Sequence, residues 1–200
     1  MTPDPELLRR WRAGDREAGN ELLTRHFGSV RRFFASKVAG ADVEDLVQRT
    51  FAGCVEAAER FRGDARFSTF LFSIARRQLY RHFRDSARDG ARTEPDLSLS
   101  SVLELGQSPS SIVAGAEMEA LLLQALQRVP VDQQTMLELH YWEDLSAAEI
   151  AEVLEIQPGN VRTRLHRARA ALRSALQELV GHESDQEDVD EVARVLGRKV

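Results

Sequence analysis

Five arginines, Arg162, Arg164, Arg167, Arg169 and Arg173, fall in a stretch with no acid between Gln157 and Gln177. A guanidinium binds phosphate well and can also read guanine bidentately in the major groove. No carboxylate stands at helical spacing to neutralise these groups, so a polyanion suits them. The surrounding residues would hold them on a helix. Ser146 and Glu149 have the spacing of a capping box, and Leu145 and Ile150 that of a hydrophobic staple. Ala147, Ile150, Ala151 and Leu154 make a small apolar face. Glu155-Ile156-Gln157 turns the chain, and Pro158 suits the first position of a new helix. Val161, Leu165, Ala168 and Leu172 recur as its buried stripe. A short helix, a turn and an arginine-rich helix make the layout of a helix-turn-helix reader of duplex DNA.

A second basic set lies earlier. The loop Arg60-Phe61-Arg62-Gly63-Asp64-Ala65-Arg66-Phe67 interleaves cations with rings. The helix after it, capped by Ser68, carries Arg76, Arg77, Tyr80, Arg81 and Arg84 away from a core side of Phe70, Leu71, Ile74, Ala75, Leu79 and Phe83. Rings that stack on bases and arginines that hold phosphates suit an unpaired strand. The net charge of −5 looks unsuited to nucleic acid, but the acids collect elsewhere: at Asp42, Glu44 and Asp45, around Glu117 and Glu119, and after Gly181. Distribution outweighs the sum.

The elements that must position these groups read as helices only. A helix is expected over 5–26, with Gly14 and Gly19 weakening its continuity, and another over 29–38. A third runs from an Asp42 cap to about Arg60, with Val43, Leu46, Val47, Thr50, Phe51 and Cys54 on its apolar face. With the helix that follows the basic loop they form a small bundle. Helical periodicity returns over 112–129 and stops at Pro130, and an Asp132-capped helix runs to about Trp142. No strand pattern appears, so the fold class is all-α: two small helical domains, 1–85 and 112–180, joined by a flexible Ser-, Asp- and Gly-rich linker, 86–111. An acidic tail, 181–200, follows and is a candidate regulatory segment.

Cys54, the only cysteine, and five histidines without ligand spacing imply no metal site and no disulfide. No nucleophile–base set or glycine-rich phosphate loop appears, so no catalysis and no cofactor are expected. No signal segment or run of about 20 apolar residues is present, so a cytoplasmic protein without membrane insertion is expected.

Two blocks resemble one family. Asp42-Val-Glu-Asp-Leu-Val-Gln-Arg-Thr-Phe51, then Arg60-Phe-Arg-Gly63 and Phe67-Ser-Thr-Phe-Leu-Phe-Ser-Ile-Ala-Arg76, resemble region two of bacterial sigma factors. Val129 to Leu172 resembles region four. The layout is similar to the extracytoplasmic-function group of the sigma-70 family. The resemblance implies a promoter-recognition subunit that binds core RNA polymerase and directs transcription initiation. Asp42, Glu44, Asp45, Leu46, Gln48, Thr50 and Phe51 would form or support the polymerase contact. Arg62, Arg66, Phe67, Ser68, Thr69, Phe70, Arg76, Arg77, Tyr80, Arg81 and Arg84 would melt and hold the minus-ten element. Asn160, Arg162, Thr163, Arg164, His166 and Arg167 would read the minus-thirty-five duplex. An anti-sigma protein is a further candidate partner.

The chain departs from the family pattern at three places. Phe70 stands where Trp is usual, Arg77 where Asn is common, and Gly159-Asn160-Val161 where Gly-Thr-Val is usual. Two other readings stay open on the residues alone. One is a helix-turn-helix regulator whose N-terminal bundle senses a ligand or dimerises. The other is an interaction protein that holds polymerase without specific DNA binding.

Overall fold

The computed structural model describes residues 2–58, 61, 65–89 and 114–180. Eight helices appear among them, with no strand: α1 (Asp4–Arg12), α2 (Arg16–Ala35), α3 (Ala41–Ala58), α4 (Phe67–Asp89), α5 (Ala114–Gln127), α6 (Val131–Tyr141), α7 (Ala147–Leu154) and α8 (Pro158–Val180). They divide into two compact units, one built mainly from α1–α4 and the other mainly from α5–α8. Arg60, Arg62, the linker residues 90–111 and the tail beyond 180 lie outside the described residues.

In the first unit the expected 5–26 helix is two helices. Gly14 takes a φ of +96°, which a side chain would oppose, and ends α1. Asp15 then starts α2: its Oδ1 accepts the Glu17 and Ala18 amides, each at 3.1 Å. Its other oxygen binds the Arg10 guanidinium, and together these bonds lower its pKa. The break expected near residue 28 is absent, because Gly28 sits inside α2 with nothing around it to force a turn. Gly19 has a packing reason: a Cβ there would stand 2.6–2.8 Å from the Trp11 indole, so α1 closes on α2 only over a bare backbone. Asp4 clamps the same pair from the far end through Arg25 and His26. Burial opposes its ionised form, but the bonds and charges of His26 and Arg25 outweigh burial and leave its pKa lowered.

α3 starts at Ala41, and Asp42 stands in its first turn rather than at the cap. Helix α4 likewise begins one residue before the expected cap, so Ser68 is inside it and buried. Leu7, Leu22, Phe34, Leu46, Leu71, Phe72 and Leu79 fill the core. The edge of Phe33 meets Phe34 at 5.3 Å and Phe72 at 5.6 Å. Phe72 belongs to this core although its place was expected for Phe70 and Phe83, which are only half-buried. Cys54 is buried, and burial pushes its thiol up to about 12, so it is inert packing material.

In the second unit α5 and α6 pack on α8. Pro130, rather than Asp132, precedes α6; its carbonyl accepts the Gln133 and Gln134 amides at 2.8 and 2.9 Å. The capping box of α7 forms as read: Ser146 Oγ accepts the Glu149 amide at 3.3 Å, and Glu149 accepts the Ser146 amide at 2.8 Å. Leu145 and Ile150, the staple pair, are both buried. Glu155 adopts a left-handed φ of +55° after α7, and the Ile156 amide returns to the Ala151 carbonyl at 3.0 Å. That closes the C-terminus in the manner of a Schellman turn. Val161, Leu165, Ala168, Leu172 and Ala175 form the buried stripe of α8. Among the described residues no helix is long and apolar enough to cross a membrane, and no cluster could hold a metal ion.

Candidate nucleic-acid interface and partner surface

Because the apolar stripe of α8 is continuous, the remaining positions of its first turns face water. Asn160, Arg162, Thr163, Arg164, His166 and Arg167 are all exposed. Neither Arg162, Arg164 nor Arg167 has an ion-pair partner among the described residues. Arg169 differs from its neighbours, although the sequence puts them in one group. Its Nε donates to the Tyr141 hydroxyl at 2.6 Å, and its guanidinium lies 5.5 Å from the centre of that ring. This arginine fastens α8 to α6. Only a residue 28 positions earlier, on another helix, could reveal that role, and spacing within α8 gives no sign of it.

Helix α4 presents a different face. Phe70, Ser73, Arg77, Arg81, Arg84 and Arg88 follow one another at helical spacing, and none is buried. Arg66 stands exposed one turn before Phe70. Phe70 stacks on Phe61 with centroids 4.4 Å apart. The Arg76 guanidinium lies 4.5 Å over the Tyr80 ring. Arg81 faces Asp85 at 3.7 Å, while Arg84 and Arg88 have no ion-pair partner among the described residues. Three of the residues singled out for the melted strand lie inward: Phe67 is 4% exposed, and Ser68 and Thr69 are buried. They build the start of α4 rather than its outer surface.

The acidic block is split by burial in the same way. Leu46 and Thr50 are buried, and the Thr50 hydroxyl donates to the Leu46 carbonyl at 2.8 Å, so they support α3 from within. Asp42, Glu44, Asp45, Gln48 and Phe51 reach the surface to different degrees. Glu44, Gln48, Phe51 and Val55 lie along one exposed row at helical spacing. Helix α2 extends it: Phe27 stacks on Phe51 at 6.1 Å, and Arg31 binds Glu44 at 2.9 Å. Phe27 is 45% exposed and Val55 51%. The result is an apolar patch edged by Glu44 and Gln48. The sequence reading left out Phe27 and Val55. The available signal was that both fall off the apolar stripes of their own helices.

The model of sigma-70 region 2 matches residues 22–89, and that of sigma-70 region 4 matches 119–172. The chain therefore belongs to the sigma-70 family of RNA polymerase sigma factors, in its extracytoplasmic-function group. It is similar to the ECF RNA polymerase sigma-E factor of Escherichia coli (28% identity, covering 88% of this chain and 96% of that one) and to that of Haemophilus influenzae (27%, 88% and 97%). Among solved structures, CnrH in complex with the cytosolic domain of CnrY shares the fold at a TM-score of 0.63 and 23% identity, over 88% of this chain and 97% of that one. RpoE of Bartonella quintana, bound to the anti-sigma factor NepR, does so at 0.58 and 24%, over 82% and 98%. Sigma factors bind core RNA polymerase and promoter DNA and direct transcription initiation; the family is one of initiation factors rather than enzymes.

Proposed function

We propose that three surfaces of this sigma factor divide the work of initiation. The row Glu44–Gln48–Phe51–Val55, with Asp42, Asp45 and Phe27 around it, docks on core polymerase. Burying an exposed aromatic pair against a partner gives affinity, and the acids at its edge set orientation. The outer face of α4, from Arg66 and Phe70 to Arg84, holds the melted minus-ten strand. The N-terminal half of α8 lies in the major groove of the minus-thirty-five element, with Asn160, Arg162 and Thr163 nearest the base edges.

On this reading the two helical domains act as separate grips; α4 carries the first one to Asp89, past the boundary at 85 expected from sequence, so the tether follows Asp89 and runs to 111, with 181–200 as a regulatory tail. The protein works in the cytoplasm without catalysis, by binding that differs between duplex and melted DNA. An anti-sigma protein is its proposed regulator, by analogy with the NepR-bound relative. The observation that carries the reading is the exposed row Arg162, Arg164 and Arg167 on α8, which has no ion-pair partner among the described residues and is backed by a continuous core stripe. Run-off transcription with core polymerase, the full chain and promoter fragments tests it. Sequence-specific initiation that depends on added protein is expected; initiation no different from core alone overturns it.

A further inference from the structure

The outer face of α8 carries more cations than its first turns use. Arg162, Arg164, Arg167 and Arg173 are all exposed, and none has an ion-pair partner among the described residues. The one acid of the helix, Glu178, lies 3.7 Å from Arg128 and leaves the row uncompensated. Directly after α8 the sequence holds the opposite charge. Residues 183–191 contain six acids and no Lys or Arg: Glu183, Asp185, Glu187, Asp188, Asp190 and Glu191. A guanidinium binds carboxylate by the same planar fork that binds phosphate. One length of chain therefore carries a phosphate-like series beside the helix that suits phosphates.

The lengths agree. At about 1.5 Å per residue, Arg173, Arg167 and Arg162 stand about 10, 20 and 27 Å back from Val180, the last residue of α8. A chain that doubles back covers at most about 3.3–3.6 Å per residue. Glu183 therefore reaches Arg173, Glu187 and Asp188 reach Arg167, and Asp190 and Glu191 reach Arg162. The residue after α8 is Gly181, the type that most often lets a chain reverse at a helix end. Exposed ion pairs are weak one by one, but a tethered partner acts at an effective concentration in the millimolar range. We infer that the arginine face of α8 is also the docking face of the chain's own acidic segment, 183–191, which must leave before duplex DNA enters. The inference rests on the proposed duplex-reading role of α8 and gives that site its regulation. Two polyanions that need the same arginines exclude each other, so the segment lowers duplex affinity until promoter DNA displaces it.

The test compares the full chain with a variant whose six acids become amides: Glu183→Gln, Asp185→Asn, Glu187→Gln, Asp188→Asn, Asp190→Asn and Glu191→Gln. By anisotropy the amide variant is expected to bind minus-thirty-five duplex about tenfold more tightly at low salt, with the gap closing near about 0.5 M salt. The contact itself is read in the full chain carrying Arg167→Lys, whose new amine a carbodiimide joins to a carboxylate in contact with it. An intrachain link from position 167 to the 183–191 peptide is expected in the monomer, and saturating minus-thirty-five duplex should abolish it. Affinities of the two chains within twofold of each other overturn the inference. So does the absence of that link, its persistence under duplex, or a link formed only between two chains. If neither chain binds the minus-thirty-five duplex better than a duplex of mixed sequence, the parent reading of α8 fails instead, and the link alone then decides whether the segment docks.

Discussion

Helices α4 and α8 are each 23 residues long, and both set arginines opposite an apolar stripe, yet their outer faces differ. On α4 the cations alternate with rings: Phe70 stacked on Phe61, and Tyr80 beneath Arg76. On α8 the exposed first turns hold Asn160, Arg162, Thr163, Arg164, His166 and Arg167, with no Phe, Tyr or Trp. A paired duplex hides base faces and exposes only edges and phosphates, so rings gain nothing there. A melted strand exposes the faces, and aromatic surface becomes useful. Arg162, Arg164 and Arg167 of α8 have no ion-pair partner among the described residues, while on α4 Arg81 lies near Asp85 and Arg84 and Arg88 have none.

The largest expected effect falls on α8. Arg164→Ala with Arg167→Ala should weaken binding of the full chain to minus-thirty-five duplex about 30-fold or more, at about 1–3 kcal/mol for each good base or phosphate contact. An unchanged titration by anisotropy would break the comparison. Phe70→Leu keeps bulk and removes the stacking ring. It should weaken binding to a single-stranded minus-ten oligonucleotide about tenfold, given about 1–3 kcal/mol for each stacked base. Equal loss on duplex would show that the ring supports the fold and not the strand.

Two smaller changes test the platforms. Gly19→Ala should lower the urea stability of the chain by about 1 kcal/mol. The gain in helix propensity is about 1 kcal/mol, and crowding the Trp11 indole costs about 1–3 kcal/mol. A rise in stability would show that the indole moves aside easily. Ser146→Ala should cost about 0.5–1 kcal/mol in the second unit, since the Glu149 backbone amide loses its hydroxyl acceptor. Hydrogen exchange slowed or unchanged over α7 would refute the cap's contribution.

Much of the second unit was legible because its signals are local. The cap, the staple, Pro158 and the stripe of α8 each depend on neighbours within a few residues; the cap, Pro158 and the stripe stand in the structure, and both staple residues are buried. The first unit was harder at its ends. Gly14 and Gly19 look alike in sequence, but only Gly14 breaks a helix, while Gly19 admits an indole from α1. Phe70 and Phe72 sit two residues apart and compete for one core position. Contact with Phe33 on another helix selects Phe72.

By itself the sequence determined that the chain is helical, which segments carry the cations, and where Pro, Gly and cap residues punctuate them. Periodicity and capping are properties of a single stretch of chain. Tertiary structure decided which of those groups remain available. Arg169 is committed to Tyr141 while Arg167 is open, and Phe67 is packed inward while Phe70 is not. Phe27 meets Phe51 on a surface that neither helix shows alone. Availability depends on which helix covers which face, and that contact energy comes from residues far apart in the chain.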